Sequence, residues 1–166
     1  MNNVVLIGMP GCGKSTCGVL LAKALGMDFA DTDLIIQRNE KRSLQEIINA
    51  DGNEYFSRAE EAAVCGTEFS SCVVATGGSV VYSSKAMQSL AKDAEIVYLK
   101  ISYETMLKRI CNIETRGILL REGESIAGMY EERAPLYEKY ATVTVDCDDR
   151  GTEKTVSAII GALKKR

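Results

Sequence analysis

The stretch Val4-Val5-Leu6-Ile7-Gly8-Met9-Pro10-Gly11-Cys12-Gly13-Lys14-Ser15-Thr16 decides the fold class of this chain. It begins with a short apolar run, continues through a glycine-rich turn, and ends in a Lys-Ser pair that opens a helical pattern. This is the spacing G-x-x-x-x-G-K-[ST], the phosphate-binding P-loop. Because a strand pattern precedes the motif and a helical pattern follows it, the sequence favours a P-loop over an ordinary glycine-rich turn.

The residue types of this motif suit the phosphates of a nucleotide. Glycines let backbone N–H groups converge on one concavity that a side chain would fill. Lys14 is predicted to reach the outer phosphates, and the Ser15 hydroxyl to ligate Mg²⁺. The helix that begins here adds the positive end of its dipole. The residues predicted to bind the nucleotide are Gly11, Cys12, Gly13, Lys14, Ser15 and Thr16.

Length and composition narrow the class of protein. The 166 residues are enough for one domain with its own core, residues 1–166. The net charge of −3 argues against a nucleic-acid or membrane surface, and no apolar stretch is long enough to span a bilayer. There is no histidine, so a general base must be a carboxylate, lysine, tyrosine or cysteine. The six cysteines form no C-x-x-C pair, so they are not expected to bind a metal. In a chain with a P-loop, they predict reduced thiols and a cytoplasmic protein rather than disulfides.

Strand and helix patterns alternate along the chain, which predicts a parallel sheet covered by helices on both faces. The first helix is expected to turn Cys17, Leu20, Leu21, Ala24 and Leu25 inward. The predicted strands are residues 4–7, 27–30, 72–75, 96–99 and 143–145. The predicted helices are residues 17–25, 34–39, 44–50, 54–65, 84–91, 103–110, 125–140 and 152–163, with a break at 51–53 and caps at Ser43 and Thr152.

Two polar segments follow predicted strands, at the sheet edge where the P-loop also lies. Asp31-Thr32-Asp33 follows the second strand, and Thr76-Gly77-Gly78-Ser79 follows the third. One aspartate would suffice to cap the next helix. A pair of aspartates beside a P-loop predicts that the two have different roles, with one near Mg²⁺ and the other accepting a proton from a hydroxyl. The paired glycines would let the backbone approach a small ligand, although a plain turn also explains them.

Two arginines stand out further along the chain. Arg133 lies on the apolar stripe of the predicted helix 125–140. An inward arginine needs an anionic partner, which is predicted to be a ligand, although an ion pair with a glutamate or a charged end that extends to solvent would also explain it. Arg116 lies in residues 112–123, which have no clean periodicity and are predicted to form a lid, although a surface loop would also explain them. Arg116 could then reach the transferring phosphate.

These motifs resemble shikimate kinase over nearly the whole chain. The P-loop matches the Walker A loop of that family, Asp31-Thr32-Asp33 its D-[ST]-D motif, and Thr76-Gly77-Gly78 most of its T-G-G-G. Thr115-Arg116-Gly117-Ile118-Leu119-Leu120 is similar to its R-P-L-L lid motif. Met129-Tyr130-Glu131-Glu132-Arg133-Ala134-Pro135-Leu136-Tyr137 is similar to its L-Y-x-E-R-x-P-L-Y. The resemblance implies a three-layer α/β/α P-loop kinase fold with a five-stranded parallel sheet and a short lid.

The resemblance also implies a role for each matched residue. Lys14 and Arg116 would act in catalysis together with Asp33, which would orient and deprotonate the acceptor hydroxyl. Asp31 would hold Mg²⁺ through water, and Arg133 would pair with the acceptor's carboxylate. Arg109 would pack on adenine, beside a loop at residues 146–152 that includes Arg150. Gly77, Gly78 and Ser79 would line the acceptor pocket.

The chain departs from the family where the acceptor binds. The family pattern G-E-x-x-F-R-x-x-E places a substrate-binding arginine directly after a phenylalanine, whereas here Phe56 is followed by Ser57 and then Arg58. Arg58 is therefore predicted to bind the acceptor in place of the missing arginine. One helical position is a rotation of about 100°, so Arg58 would make this contact only by the reach of its side chain or by a shift of register. Ser79 replaces the third glycine of T-G-G-G, and Gly117 replaces the lid proline.

The sequence therefore predicts an ATP- and Mg²⁺-dependent, monomeric kinase of a small carboxylated metabolite, with shikimate as the leading acceptor. One alternative is a related enzyme acting on another hydroxy acid or hydroxy amino acid. Another is a nucleotide-binding protein without kinase turnover. A small GTPase is disfavoured because no guanine-reading N-K-x-D motif occurs in the chain.

Overall fold

A computed structural model of the chain describes residues 3–110, 118–120 and 123–165. The strands in these ranges are β1 (Asn3–Ile7), β2 (Asp28–Asp31), β3 (Cys72–Ala75), β4 (Ala94–Lys100) and β5 (Val143–Asp146). All pair in parallel, in the order β2-β3-β1-β4-β5. Every residue of β1 and β3 is buried, as expected for central strands covered on both faces. The predicted five-stranded parallel sheet is confirmed.

Helices cover this sheet in the three-layer arrangement that was predicted. They are α1 (Lys14–Leu25), α2 (Thr32–Glu40), α3 (Leu44–Cys65), α4 (Ser84–Ala91), α5 (Tyr103–Ile110), α6 (Ile126–Tyr140) and α7 (Thr152–Leu163), with a 3₁₀ turn at Val80–Tyr82. Helix α1 packs on α7, and α3 packs on α4. None of the helices in the described part of the chain is long and apolar enough to cross a membrane.

Local signals placed most helix ends correctly. The Ser43 side chain accepts a hydrogen bond from the N–H of Glu46, whose carboxylate bonds back, so the predicted cap of α3 is a capping box. The predicted break at residues 51–53 is confirmed by Gly52, where φ is 80° and ψ is 175°. The cap predicted at Thr152 is wrong, because α7 begins with Thr152 and its N-cap is Gly151, which offers no side-chain hydrogen bond.

The inward face of α1 differs from the prediction. Leu20 is 39% exposed and Ala24 is exposed, whereas Gly18 is buried. A Cβ on Gly18 would lie 2.6 Å from Cε2 of Phe29, so the missing side chain makes room for a ring at the start of β2. This contact rotates the buried face away from the predicted apolar stripe. The buried residues of α1 are Cys17, Gly18, Leu21 and Ala22.

A second, smaller apolar cluster lies apart from the main core, between α2, α3 and residue 119. It fixes the orientation of the second half of α3, which carries Phe56 and Glu60 on its buried face. It therefore decides which side chains of α3 turn towards the P-loop. Its buried members are Ile36, Ile47, Phe56, Ala63 and Leu119.

Candidate active site

A cleft of about 250 Å³ opens at the carboxyl ends of β1, β2 and β3. The structure brings together here the P-loop, Asp33 and the turn after β3, which are far apart in sequence. Arg133 of α6 joins them from the other side. The lining residues are Pro10, Gly11, Gly13, Lys14, Ser15, Thr16, Asp33, Leu44, Phe56, Thr76, Gly77, Gly78, Ser79, Ile118, Leu119 and Arg133.

The P-loop wraps around its lysine. Lys14 Nζ donates hydrogen bonds to the carbonyls of Gly8 (2.8 Å) and Met9 (3.0 Å). Gly13 is the N-cap of α1 with φ 95°, a left-handed conformation that favours glycine, and it has no side chain to cap the helix. The N–H groups of the first turn of α1 are therefore not satisfied by a capping side chain, which suits an anion.

The other residues predicted to bind the nucleotide lie within this loop or on segments that follow later in the chain. Ser15 and Thr16 are exposed at the cleft, while Cys12 is buried with its Sγ 3.6 Å from Lys14 Nζ. Arg109 donates to the carbonyls of Gly11 (3.4 Å) and Cys147 (3.1 Å), so it joins the P-loop to the segment after β5. At the end of that segment, Arg150 is exposed.

The side chains of Asp31, Thr32 and Asp33 have separate roles. Asp31 Oδ1 accepts from the N–H of Asp33 (3.0 Å) and caps α2, while its Oδ2 accepts from the Ser15 hydroxyl (2.6 Å). Thr32 is buried and accepts from the N–H of Gly77 (3.2 Å). Asp33 lines the cleft. The capping interpretation is thus correct for Asp31, and it coexists with a contact to the P-loop.

The oxygens of Ser15 and Asp31 form a donor set that fits Mg²⁺. They are a hydroxyl and a carboxylate, 2.6 Å apart, at the exposed edge of the P-loop. Mg²⁺ is a hard cation that prefers oxygen ligands and keeps several of its waters, so a partly open site beside phosphates suits it.

Arg133 is a buried cation, with 1% of its surface exposed. It donates to the carbonyl of Leu119 and to the hydroxyl of Tyr82 (3.3 Å), and its guanidinium lies 5.3 Å from the centre of the Tyr82 ring. In the described ranges no carboxylate forms an ion pair with it. A buried guanidinium without an anion is costly, so an anionic ligand entering the cleft would find a prepared partner.

The turn after β3 brings the backbone close to this guanidinium. A Cβ on Gly78 would lie 3.1 Å from Arg133 Nη1, so a side chain at this position would require the guanidinium to shift by a few tenths of an ångström. Tyr137, fully buried in α6, donates its hydroxyl to the Gly78 carbonyl (2.6 Å) and holds the turn in place. Ser79 lines the cleft, but its hydroxyl donates to the carboxylate of Glu60 (2.7 Å).

Glu60 is a site residue that the sequence reasoning missed. It is 3% exposed, and burial above all raises the pKa of its carboxyl to about 7, with the negative charge of Asp33 adding to the effect. The Ser79 hydrogen bond and the charges of Arg133 and Lys14 act in the opposite direction. Its spacing from Phe56, four residues along a helix, was a usable signal that both share the buried face.

Arg58 does not reach the cleft, which corrects the expectation that it takes the place of the missing arginine. Its side chain is 67% exposed and pairs with Glu54 one turn earlier (2.7 Å). Ser57 is exposed as well. Because Phe56 and Glu60 occupy the inward face of α3, the residues just after Phe56 are rotated towards solvent.

Arg116 lies outside the described residues, and so do 112–117, 121 and 122 of the predicted lid. The described part of that segment borders the cleft. Ile118 and Leu119 line it, and Asn53 donates its side-chain amide to the carbonyl of Leu120 (2.6 Å).

Comparisons with known proteins agree with this geometry. A family model described as Shikimate kinase matches residues 10–164. The shikimate kinase of Caldanaerobacter subterraneus subsp. tengcongensis is 35% identical, covering 99% of this chain and 98% of its own. That of Mycobacterium avium is 39% identical, covering 96% and 92%. The structure of shikimate kinase from Acinetobacter baumannii in complex with shikimate matches with a TM-score of 0.89 at 25% identity, over 99% of this chain and 94% of its own. The chain, a kinase whose phosphate loop, paired aspartates and buried arginine meet in one cleft, therefore belongs to the shikimate kinase family.

Proposed function

We propose that this protein transfers the γ-phosphoryl group of ATP to a hydroxyl of shikimate, giving shikimate 3-phosphate. The observation that carries the proposal is the single cleft that holds Lys14, Asp33 and the buried Arg133 together. These three groups correspond to the three parts of the reaction. These parts are a phosphoryl donor, a hydroxyl and the acceptor's carboxylate. Lys14 would bind the phosphates, Asp33 is a carboxylate that can act on a hydroxyl, and Arg133 is a cation without a carboxylate partner in the described chain.

At the nucleotide end, the backbone of the P-loop and Lys14 would cradle the phosphates. Ser15 and Asp31 would hold Mg²⁺, directly or through water. When bound, Mg²⁺ neutralises charge on the phosphate oxygens and helps to align them. The bonds of Arg109 to Gly11 and Cys147 support a role in shaping the adenine side of this site.

At the acceptor end, Arg133 would bind the carboxylate and thereby orient the ring of the acceptor. Its planar guanidinium can form two parallel hydrogen bonds with a carboxylate, which fixes direction as well as position. Asp33 would then accept a hydrogen bond from the reacting hydroxyl and take its proton as the phosphoryl group is transferred. Ile118 and Leu119 line the same cleft, and their apolar side chains would reduce the access of water to the reacting groups.

A second candidate is a kinase of another hydroxy acid or hydroxy amino acid. The observation that favours it is the position of Ser57 and Arg58, which are exposed on α3 and leave Arg133 as the guanidinium lining the cleft in the described ranges. With less positive charge around the carboxylate, an acceptor that carries its own cation would be repelled less.

A coupled assay of ADP release decides between the two candidates. Shikimate and a panel of hydroxy acids and hydroxy amino acids are compared at fixed MgATP, with a mixture lacking acceptor to subtract ATP hydrolysis. We expect shikimate to give the highest kcat/KM. Turnover with another acceptor in the absence of turnover with shikimate would contradict the first proposal and support the second.

A further inference from the structure

The two oxygens of the buried Glu60 carboxyl have different surroundings. Glu60 Oε2 accepts a hydrogen bond from the Ser79 hydroxyl (2.7 Å). Glu60 Oε1 is buried and has no hydrogen-bond partner among the described residues. Leaving a buried polar atom unsatisfied is costly, and native proteins rarely do so without a functional reason.

Gly77 brings this oxygen next to the predicted base. A Cβ on Gly77 would lie 2.4 Å from Glu60 Oε1 and 3.0 Å from Asp33 Oδ1. The two carboxyl oxygens therefore lie on the side of Gly77 where other residues carry a side chain and glycine has only a hydrogen atom. The distance between the two oxygens cannot exceed the sum of these two distances. One hydrogen bond or one intervening water spans such a gap.

The groups around Glu60 favour a change of charge near neutral pH. Burial is the main cause that raises the pKa of Glu60 to about 7, and Asp33 in α2 acts in the same direction. The Ser79 hydroxyl, Arg133 in α6 and Lys14 in α1 act against it. No ion pair of Glu60 with a lysine or arginine is present in the described ranges.

We propose that Glu60 is the proton reservoir of the reaction: Asp33 takes the proton of the acceptor hydroxyl and passes it to Glu60 Oε1. In balance, the acceptor O–H bond breaks and an Asp33 O–H bond forms, then that bond breaks and a Glu60 O–H bond forms. The acceptor oxygen keeps its electron pair for bonding to phosphorus. This inference rests on the proposed function. In this scheme Glu60 acts on the reaction only through Asp33, and Asp33 is the residue that contacts the acceptor hydroxyl.

The next residue on the helix shows that this environment is specific to Glu60. Glu61 Oε2 accepts from the Ser83 hydroxyl (2.6 Å), and its Oε1 lies 3.3 Å from Lys85 Nζ. Its side chain is 34% exposed, and these partners lower the pKa of its carboxyl. Both glutamates thus accept from a serine that follows β3, yet only Glu60 has an enclosed oxygen beside Asp33.

The test is the pH dependence of kcat for Glu60→Gln, measured at saturating MgATP and acceptor. Glu60 can receive a proton only when it is ionised, so kcat of the wild type should rise through about pH 7 and then level off. The amide of Glu60→Gln keeps the size of the side chain but cannot take up the proton. We expect kcat to fall roughly 10- to 100-fold above pH 7, with no rise near pH 7 and an unchanged KM for ATP.

Two further variants make the test specific. Ser79→Ala removes a hydrogen bond that favours the ionised form of Glu60, so the rise in kcat should move to higher pH. Glu61→Gln is the matched control, and its profile should coincide with that of the wild type.

The pH dependence of urea unfolding supplies a measurement that needs no turnover. With Glu60 in place, stability should fall as pH rises from about 5 to 8, because the folded state holds the proton longer, and Glu60→Gln should lack this part of the fall.

The outcomes separate the reservoir from the proposed function. A rise in kcat near pH 7 that persists in Glu60→Gln, or that stays in place in Ser79→Ala, would overturn the reservoir while the kinase proposal stands. A loss of the pH dependence of unfolding without a change in the kcat profile would also overturn it, by showing a purely structural role. A wild type that turns over no acceptor would refute the proposed function and the reservoir with it.

Discussion

The two ends of the cleft are built in different ways. The nucleotide end comes from one continuous stretch, residues 8–16, in which we propose that backbone N–H groups and Lys14 bind the phosphates. The acceptor end is assembled from side chains on α2, α3, α6 and the turn after β3. A site built from the backbone of one short stretch can be predicted from its sequence motif. A site built from side chains on several elements can be predicted only when the packing of those helices is known.

The two ends also differ in how they treat charge. At the nucleotide end Ser15 and Thr16 are exposed, so water can solvate the site when no ligand is bound. At the acceptor end Arg133 and Glu60 are both buried, and neither forms an ion pair within the described residues. Buried charge is costly until a ligand or a proton compensates it, so the acceptor end should respond more strongly to mutation and to pH.

The largest expected effect is that of Asp33→Asn, which tests whether the ends are functionally separate. Removing the base should lower kcat roughly 10²- to 10⁴-fold, while the Kd for ATP stays nearly unchanged because Asp33 acts on the acceptor. Steady-state assays with separate ATP-binding titrations measure both quantities. Asp28→Asn, at the exposed start of the strand that precedes α2, is the matched control. Undiminished turnover would show that another group is the base.

Arg133→Ala should have the next largest effect, confined to the acceptor end. Loss of a charge-assisted hydrogen-bond partner costs about 2 kcal/mol, so the KM of a carboxylated acceptor should rise roughly 30-fold. The KM for ATP should change far less. Arg38→Ala, an exposed arginine on α2, controls for a general loss of charge. Equal increases in the two KM values would mean that Arg133 serves the phosphates or the lid.

The smallest expected effect is that of Arg109→Ala, which tests the nucleotide end alone. Its bonds to the carbonyls of Gly11 and Cys147 hold the P-loop against the segment after β5. Losing about 1 kcal/mol of this support should raise the Kd for ATP roughly fivefold and leave the acceptor KM unchanged. Lys108→Ala, an exposed neighbour on α5, is the control. A larger effect on the acceptor would show that the two ends are coupled through α5.

Much of the fold follows from patterns that act over short distances. Apolar runs alternating with helical stripes predicted the five strands, their parallel pairing and most helix bounds. The prediction that failed most clearly, the inward face of α1, failed because of a distant contact. The inward face of α1 turned because Gly18 receives the ring of Phe29, and no local pattern in α1 contains that contact.

By itself, the sequence determined the P-loop, the strand-end aspartates and the position of Arg133 on an apolar helical face. These depend on backbone geometry and helical period, which short stretches specify. Only the tertiary structure decided that Arg58 is turned away and that Glu60 lies beside Asp33. The rotation of α3 is set by packing against α2 and Leu119, and an orphaned carboxyl oxygen exists only once the surrounding helices and turns exclude water from it.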